Sequence, residues 1–220
     1  MPFGKDKDFY QFSFYERGLI PRLNTVAEIG PGDSLGIGLT ALLSGANNYF
    51  ALDIAKTAYN YCNQDIFEEL IILFKQRAPI LNEEEEPKML PQLKSYKFPD
   101  YIFSDEKLNQ LLEGGRLNAI HGALIRLEKG RRAAVSNDSR IINIRYFAPW
   151  NEHDVIENDS VDVMLAVAVM EHVEDINKVY AAAASWLKKV GFLLIVLILN
   201  LTAQPIYEMD IGRILTLFGR

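Results

Sequence analysis

The chain has few of the residues that cross-link a small protein or hold a metal ion. It contains one cysteine, Cys62, and three histidines among 220 residues. A lone cysteine excludes an intramolecular disulfide and fits a reducing compartment. The sequence also shows no Ser-His-Asp triad pattern, no spaced zinc ligands and no P-loop. We therefore expect no bound metal, and we exclude the disulfide-rich, zinc-dependent and P-loop classes of protein.

Long apolar runs are also scarce. The most apolar run, Val190 to Leu199, is broken only by Gly191 and has about half the length that a membrane span needs. Residues 1–20 are polar and aromatic and lack the apolar region of a secretory signal. The net charge of −6 argues against a general nucleic-acid or anionic-membrane surface. These features predict a cytoplasmic chain with no membrane span and no nucleic-acid partner.

The chain does contain a strand, glycine loop, helix and second strand between Thr25 and Asp53. The first apolar run ends at Gly30 and Gly32, which let the backbone turn sharply and let a ligand approach closely. Leucines at helical spacing follow, and the second apolar run ends at Asp53. This order predicts a β-α-β unit with a ligand loop at the carboxyl end of its first strand.

The loop departs from the dinucleotide pattern G-x-G-x-x-G, because its glycines read G-x-G-x-x-x-G. Glu28 and Asp33 flank it, and two carboxylates would repel a pyrophosphate but suit an ammonium group and a sulfonium centre. The run Glu-Ile-Gly-Pro-Gly-Asp resembles the first motif of class I S-adenosylmethionine-dependent methyltransferases, and Asp53 matches their acidic second motif. The stretch from Ser160 to Val173, which ends in Met-Glu-His-Val, resembles the fourth motif.

The resemblance implies S-adenosyl-L-methionine as the cofactor. Glu28 and the glycine loop would hold its methionine end, and Asp53 would accept the ribose hydroxyls. Residues after the third strand would border the adenine, where Trp150 either stacks on the ring or plugs the core beneath the loop. The predicted cofactor-binding residues are Glu28, Gly30, Pro31, Gly32, Asp33, Asp53, Ile54, Ala148, Pro149 and Trp150.

Methyl transfer needs alignment more than side-chain chemistry, because the donor is already activated. A general base helps only when the acceptor is a hydroxyl or a protonated amine. His172 follows the fourth strand beside the expected cleft and is the candidate catalytic residue. Its alternative role is structural, holding the loop by a hydrogen bond. His121 and His153 lie in other segments and form no spaced metal cluster.

The whole pattern predicts one methyltransferase-like domain over residues 1–220. We expect a doubly wound, mostly parallel α/β sheet of the Rossmann-like order 3-2-1-4-5. The segment 55–63 is expected to be helical, and Asp65 is expected to cap the helix that follows. Residues 82–140 are predicted to form a helical insertion between the second and third strands, and this insertion is a candidate lid over the substrate side.

The end of the chain departs from the family pattern. Family members usually enter the fifth strand through a Pro-Gly-Gly type turn, but Lys188-Lys189-Val190-Gly191 joins a predicted helix over 174–189 to a predicted strand over 192–199. The residues after the strand are too few for the usual helix and antiparallel strand pair. We expect a truncated or degenerate member, or a fifth-strand edge that a partner such as a second copy covers.

The leading hypothesis is a methyltransferase that uses S-adenosyl-L-methionine and acts on a small molecule or a glycan. The alternative is a non-catalytic or degenerate relative that binds only the cofactor or a partner. The altered entry into the fifth strand favours this alternative, and the presence of Glu28 and Asp53 counts against it. An NAD-dependent oxidoreductase comes third, because the glycine spacing and Glu28 disfavour it.

Overall fold

The computed structural model describes residues 23–58, 62–79, 95–130, 141–150 and 155–196 of the chain. Within these ranges, five strands form one parallel sheet in the order β3-β2-β1-β4-β5. The strands are β1 (Thr25–Ile29), β2 (Asn48–Leu52), β3 (Asn143–Phe147), β4 (Val161–Val167) and β5 (Leu187–Val196). The predicted α/β fold and strand order are confirmed.

Helices cover both faces of the sheet. Those in the described residues are α1 (Gly36–Leu43), α2 (Asn63–Lys75), α3 (Asp105–Leu111), α4 (Gly114–Glu128) and α5 (Ile176–Trp186). The first four build a core on one face, and α5 builds a second core on the other face with residues that follow β3. None of the helices in these ranges is long and apolar enough to cross a membrane.

Helix α2 follows the predicted apolar stripe but begins earlier than expected. Phe67, Leu70 and Phe74 are buried in the first core, as their helical spacing indicates. The first helical residue is Asn63, so Asp65 lies in the first turn and is not the N-cap. A carboxylate in the first turn still faces the positive end of the helix.

The described helices of the predicted insertion pack as part of the sheet's own helix layer. Helix α4 lies against β3 and α2, and its side chains Ile120, Ala123 and Leu124 are buried in the first core. The glycine pair Gly114-Gly115 begins α4 and does not merely end α3. The lid role and the limits 82–140 stay predictions, because 82–94 and 131–140 lie outside the described residues.

The chain passes from α5 into β5 without a loop. Helix α5 ends at Trp186, and the next residue, Leu187, already pairs with Val161 of β4. Lys188 lies in the strand and its Nζ is 2.7 Å from Asp162 Oδ1. The predicted helix over 174–189 is therefore wrong at its end. The ion pair and the strand pairing place the lysines in the sheet.

A register shift marks the entry into β5, at the segment Lys188 to Gly191 that departs from the family pattern. Between the pairs Val161–Leu187 and Val163–Phe192, β5 contains three more residues than β4, so this part of β5 bulges. Gly191 fits the crowded bulge, since a Cβ there would lie 3.0 Å from the Val161 carbonyl oxygen. Association of two copies through the β5 edge stays a prediction, because residues 197–220 lie outside the described ranges.

Polar side chains link the strands where they begin, at the amino-terminal edge of the sheet. Asp162 accepts the Thr25 N–H at 2.9 Å and the Lys188 ammonium at 2.7 Å, which joins β1, β4 and β5. Arg116 of α4 donates to the Ala46 carbonyl oxygen at 2.6 Å, just beyond α1. Because buried polar groups need partners, these bonds stabilise the edge opposite the glycine loop.

Thr40 in α1 places an unsatisfied polar group in the first core. Its side chain is buried, and its hydroxyl has no hydrogen-bond partner. We expect Thr40→Val to raise the free energy of unfolding by about 1 kcal/mol, because a methyl group replaces an unsatisfied hydroxyl of the same shape. Urea denaturation measures the change, with Thr40→Ala as the control that leaves a small cavity. Lower stability of the valine variant would contradict the unsatisfied hydroxyl.

Candidate functional site

The carboxyl ends of β1 and β4 lie side by side, and the chain leaves these strands in opposite directions across the sheet. Ligands of open parallel sheets bind in the crevice at such a point. Gly30 has φ +66°, and a Cβ on it would lie 2.3 Å from Val169 Cγ2. The β1 and β4 loops therefore touch at the crevice, and only glycine fits at position 30.

The glycine loop, residues 30–35, presents its backbone to open space. Gly32 has φ +68°, and apart from Gly32 and its two chain neighbours no atom of the described chain lies within 4 Å of a Cβ built on it. Gly32 and Asp33 are exposed, and Pro31 is half-buried. The loop thus places Gly32 and one carboxylate at the surface, directly beyond β1.

Glu28 lies inside the protein, under α1. It is 2% exposed, and its Oε2 accepts the Tyr49 O–H at 2.5 Å. Burial and, next, the negative charge of Glu28 raise the pKa of Tyr49 well above its usual value. The Tyr49 hydroxyl therefore remains a donor to Glu28 at neutral pH. Contact between Glu28 and the methionine end of a cofactor stays a prediction.

Asp53 follows β2 beside the glycine loop, and its carboxylate already has partners. Oδ1 accepts the Ile54 N–H at 2.7 Å, and Oδ2 accepts the Thr57 hydroxyl at 2.8 Å. These bonds hold residues 54–58 in a non-helical loop, so the predicted helix over 55–63 is wrong at its start. Oδ1 also accepts the Ala55 N–H at 3.5 Å and the residue is 8% exposed, so of the roughly four lone-pair positions of the carboxylate about one is left for a further donor.

The β2 loop, residues 53–58, is braced by side chains that the sequence analysis did not single out. The Tyr146 hydroxyl of β3 donates to the Ala55 carbonyl oxygen at 2.7 Å and accepts the Thr57 N–H at 3.0 Å. Ile54 is 80% exposed beside these bonds. The loop is therefore fixed in place and presents an apolar side chain at the mouth of the site.

Asn63 joins the β2 loop to the glycine loop. Its side chain is buried, accepts the Leu35 N–H at 2.8 Å and donates to the Ala58 carbonyl oxygen at 2.7 Å. Leu35 lies 28 positions from Asn63 in the sequence, whereas Ala58 lies five positions from it. The only hint in the sequence was a polar side chain immediately before the apolar stripe of α2.

The residues after β3 reach the same edge of the sheet. The Trp150 N–H donates to the Asp53 carbonyl oxygen at 3.0 Å, and the Ala148–Pro149 peptide bond is cis. The Trp150 ring packs edge-on against the buried Trp186, with ring centroids 5.7 Å apart. This contact agrees with the core-plug alternative for Trp150, and stacking on adenine stays a prediction.

His172 ends a short 3-10 helix, Met170–His172, just beyond β4. It is exposed, and its backbone N–H donates to the Val169 carbonyl oxygen at 2.9 Å. The catalytic role of His172 stays a prediction.

The other two histidines lie in other segments of the chain. His121 lies on α4 with its Nε2 3.1 Å from Gln64 Oε1, and His153 lies outside the described residues. Within the described ranges, no group of three or more His, Cys, Asp or Glu is arranged to hold a metal ion.

Comparisons with known proteins add little to this geometry. No protein-family model matches the chain, and no curated protein sequence matches it. Among solved structures, the chain is similar to the YcgJ protein from Bacillus subtilis, with a TM-score of 0.39 and 14% identity. The similarity covers 84% of this chain and 49% of the YcgJ chain, so this chain spans about half the length of that neighbour. A likeness of this size establishes neither a family nor a function.

Proposed function

We propose that the chain is an S-adenosyl-L-methionine-dependent methyltransferase that acts on a small molecule or a glycan. One observation carries the proposal. The open glycine loop and Asp53 stand at the carboxyl ends of neighbouring strands, beside the crevice between β1 and β4. The bound cofactor would supply an activated methyl group, and the residues of the chain would supply position and orientation.

The residues at this edge suit such a cofactor. Space is open above Gly32, where a ligand can lie against the backbone. Asp53 keeps acceptor capacity for ribose hydroxyls, and the exposed Ile54 adds apolar surface next to it. The carboxylate of Asp33 would attract the ammonium and sulfonium charges. His172 would serve as a base only for an acceptor that must lose a proton.

Isothermal titration with S-adenosylhomocysteine tests the proposal. We expect binding in the micromolar range, and Asp53→Ala should weaken it at least tenfold, because hydrogen bonds to a charged acceptor are lost. Glu106→Ala, which removes an exposed carboxylate from α3, is the matched control and should bind like the natural chain. A folded chain that binds no S-adenosylhomocysteine would overturn the proposal.

A second candidate function is a non-catalytic relative of such enzymes. The observation in its favour is that both motif acids, Glu28 and Asp53, already have partners within the chain. Transfer of a labelled methyl group to any compound in an acceptor screen would reject it. Titration with NAD in parallel tests the oxidoreductase alternative, which would need NAD binding without S-adenosylhomocysteine binding.

A further inference from the structure

The hydroxyl of Thr57 stands between the two halves of the candidate site. Its Oγ1 lies 3.0 Å from the Gly32 carbonyl oxygen and 2.8 Å from Asp53 Oδ2. A hydroxyl has one hydrogen to donate, so only one of these contacts is a full hydrogen bond at any moment. One acceptor belongs to the glycine loop and the other is the carboxylate proposed to bind ribose.

We propose that Thr57 is a positioning residue whose hydroxyl is shared between the Gly32 carbonyl oxygen and Asp53 Oδ2, so that it forms a tie between the β2 loop and the glycine loop. In the free chain its O–H has both acceptors within reach. When a ligand hydroxyl donates to Asp53 Oδ2, the Thr57 O–H can turn to the Gly32 carbonyl oxygen and leave a further lone pair of Oδ2 to the ligand. The rotation breaks no backbone bond, so the ligand gains its acceptor while the loops stay joined. This inference rests on the proposed function, because it needs a ribose-bearing ligand at Asp53.

The backbone around Thr57 is held independently of its hydroxyl. The Thr57 N–H donates to the Tyr146 hydroxyl at 3.0 Å, and Asn63 donates to the neighbouring Ala58 carbonyl oxygen at 2.7 Å. Valine has nearly the same shape as threonine. Thr57→Val therefore removes the bridge between the loops and leaves the other fastenings of the β2 loop in place.

The first test is titration of Thr57→Val and Thr57→Ser with S-adenosylhomocysteine. We expect the valine variant to bind about five- to tenfold more weakly, the amount that one hydrogen bond contributes. The serine variant, which keeps the hydroxyl, should stay within about twofold of the natural chain. Thr40→Val makes the same chemical change on α1 and should not alter binding. Unchanged or tighter binding by Thr57→Val would overturn the proposal.

Hydrogen exchange of the ligand-free chain is the second test and needs no cofactor. In Thr57→Val, the amides of Gly30, of residues 32–35 and of residues 53–58 should exchange faster than in the natural chain, while those of α2 should not change. Unchanged exchange in both loops overturns the tie, whatever the titration gives. If the natural chain binds no S-adenosylhomocysteine, the proposed function fails, and the exchange rates still decide whether Thr57 joins the loops.

Discussion

Gly38→Ala is expected to lower the free energy of unfolding by about 3 kcal/mol, at the upper end of overpacking costs. A Cβ at Gly38 would lie 2.0 Å from Tyr49 Cζ and 2.1 Å from Cε1. The ring has no room to retreat, because Tyr49 is fully buried and its hydroxyl is bound to Glu28. In an unobstructed helix the same change stabilises by up to about 1 kcal/mol, so the sign of the effect is itself informative.

Urea denaturation of Gly38→Ala and Gly122→Ala makes the comparison. Gly122 lies within α4, and a Cβ there would meet only Arg126 Nη1 at 3.4 Å, the far end of a flexible side chain. We expect this control to gain about 0.5–1 kcal/mol from helix propensity alone. A stabilised Gly38→Ala variant would mean that the Tyr49 ring does not lie under α1.

Tyr49→Phe should destabilise the chain by about 2–3 kcal/mol. Phenylalanine keeps the shape of the ring, so the cost comes from Glu28, which loses a hydrogen-bond donor while it stays buried at 2% exposure. The control is Tyr180→Phe on α5, a half-buried tyrosine, which we expect to change stability by less than about 0.5 kcal/mol. A double-mutant cycle of Tyr49→Phe and Glu28→Gln then measures the coupling free energy between the Tyr49 and Glu28 side chains. A negligible coupling energy would contradict the short bond.

Alkaline pH gives a second readout of the same pair. Burial, and next the charge of Glu28, raise the pKa of Tyr49 in the folded chain, whereas the unfolded tyrosine ionises near pH 10. Above about pH 10 the folded state therefore holds a proton that the unfolded state has released, and stability falls as the pH rises. For this group the slope approaches about 1.4 kcal/mol per pH unit. Between about pH 8 and pH 11, the free energy of unfolding should fall less in Tyr49→Phe than in the natural chain. An equal fall in both chains would refute the raised pKa of Tyr49.

The central strands and their order could be predicted because their signals are local. Short apolar runs ended at Gly30, at Asp53 and near Ala168, and their spacing required crossover connections between parallel strands. The positions of the glycine loop and of Asp53 at one edge of the sheet followed from the same pattern. A parallel sheet brings the carboxyl ends of its strands together, so no side-chain detail was needed.

The side-chain partners that link separate elements could not be predicted, because these pairs join distant parts of the chain. Glu28 was predicted to contact a cofactor, and nothing in the sequence indicated that its carboxylate accepts the hydroxyl of Tyr49, 21 positions away, inside the core. Asn63 and Thr57 reach the glycine loop across 28 and 25 positions respectively. No local pattern encodes such pairings, since they depend on how helices and loops pack on the sheet.

The start of β5 was mispredicted for the opposite reason, a strong local signal that tertiary structure overrides. Lysines at the end of an apolar helical stripe favour a helix C-terminus. Here the Lys188 ammonium finds a buried carboxylate, Asp162, within reach at 2.7 Å, and the segment joins the sheet instead. Pairing of Leu187 with Val161 then fixes where the strand begins.

The bonds of Asp162 and Arg116 at the amino-terminal edge have a consequence for engineering. They fasten the strands at one end of the sheet, whereas the glycine loop and the β2 loop stand at the other end. The bonds that stabilise the sheet and the loops proposed to bind the ligand therefore lie at opposite ends of the same strands. A library that varies the loop tips at Pro31, Asp33 and Ile54 leaves every one of those fastening bonds intact. This division lets new binding specificities be selected on an unchanged frame.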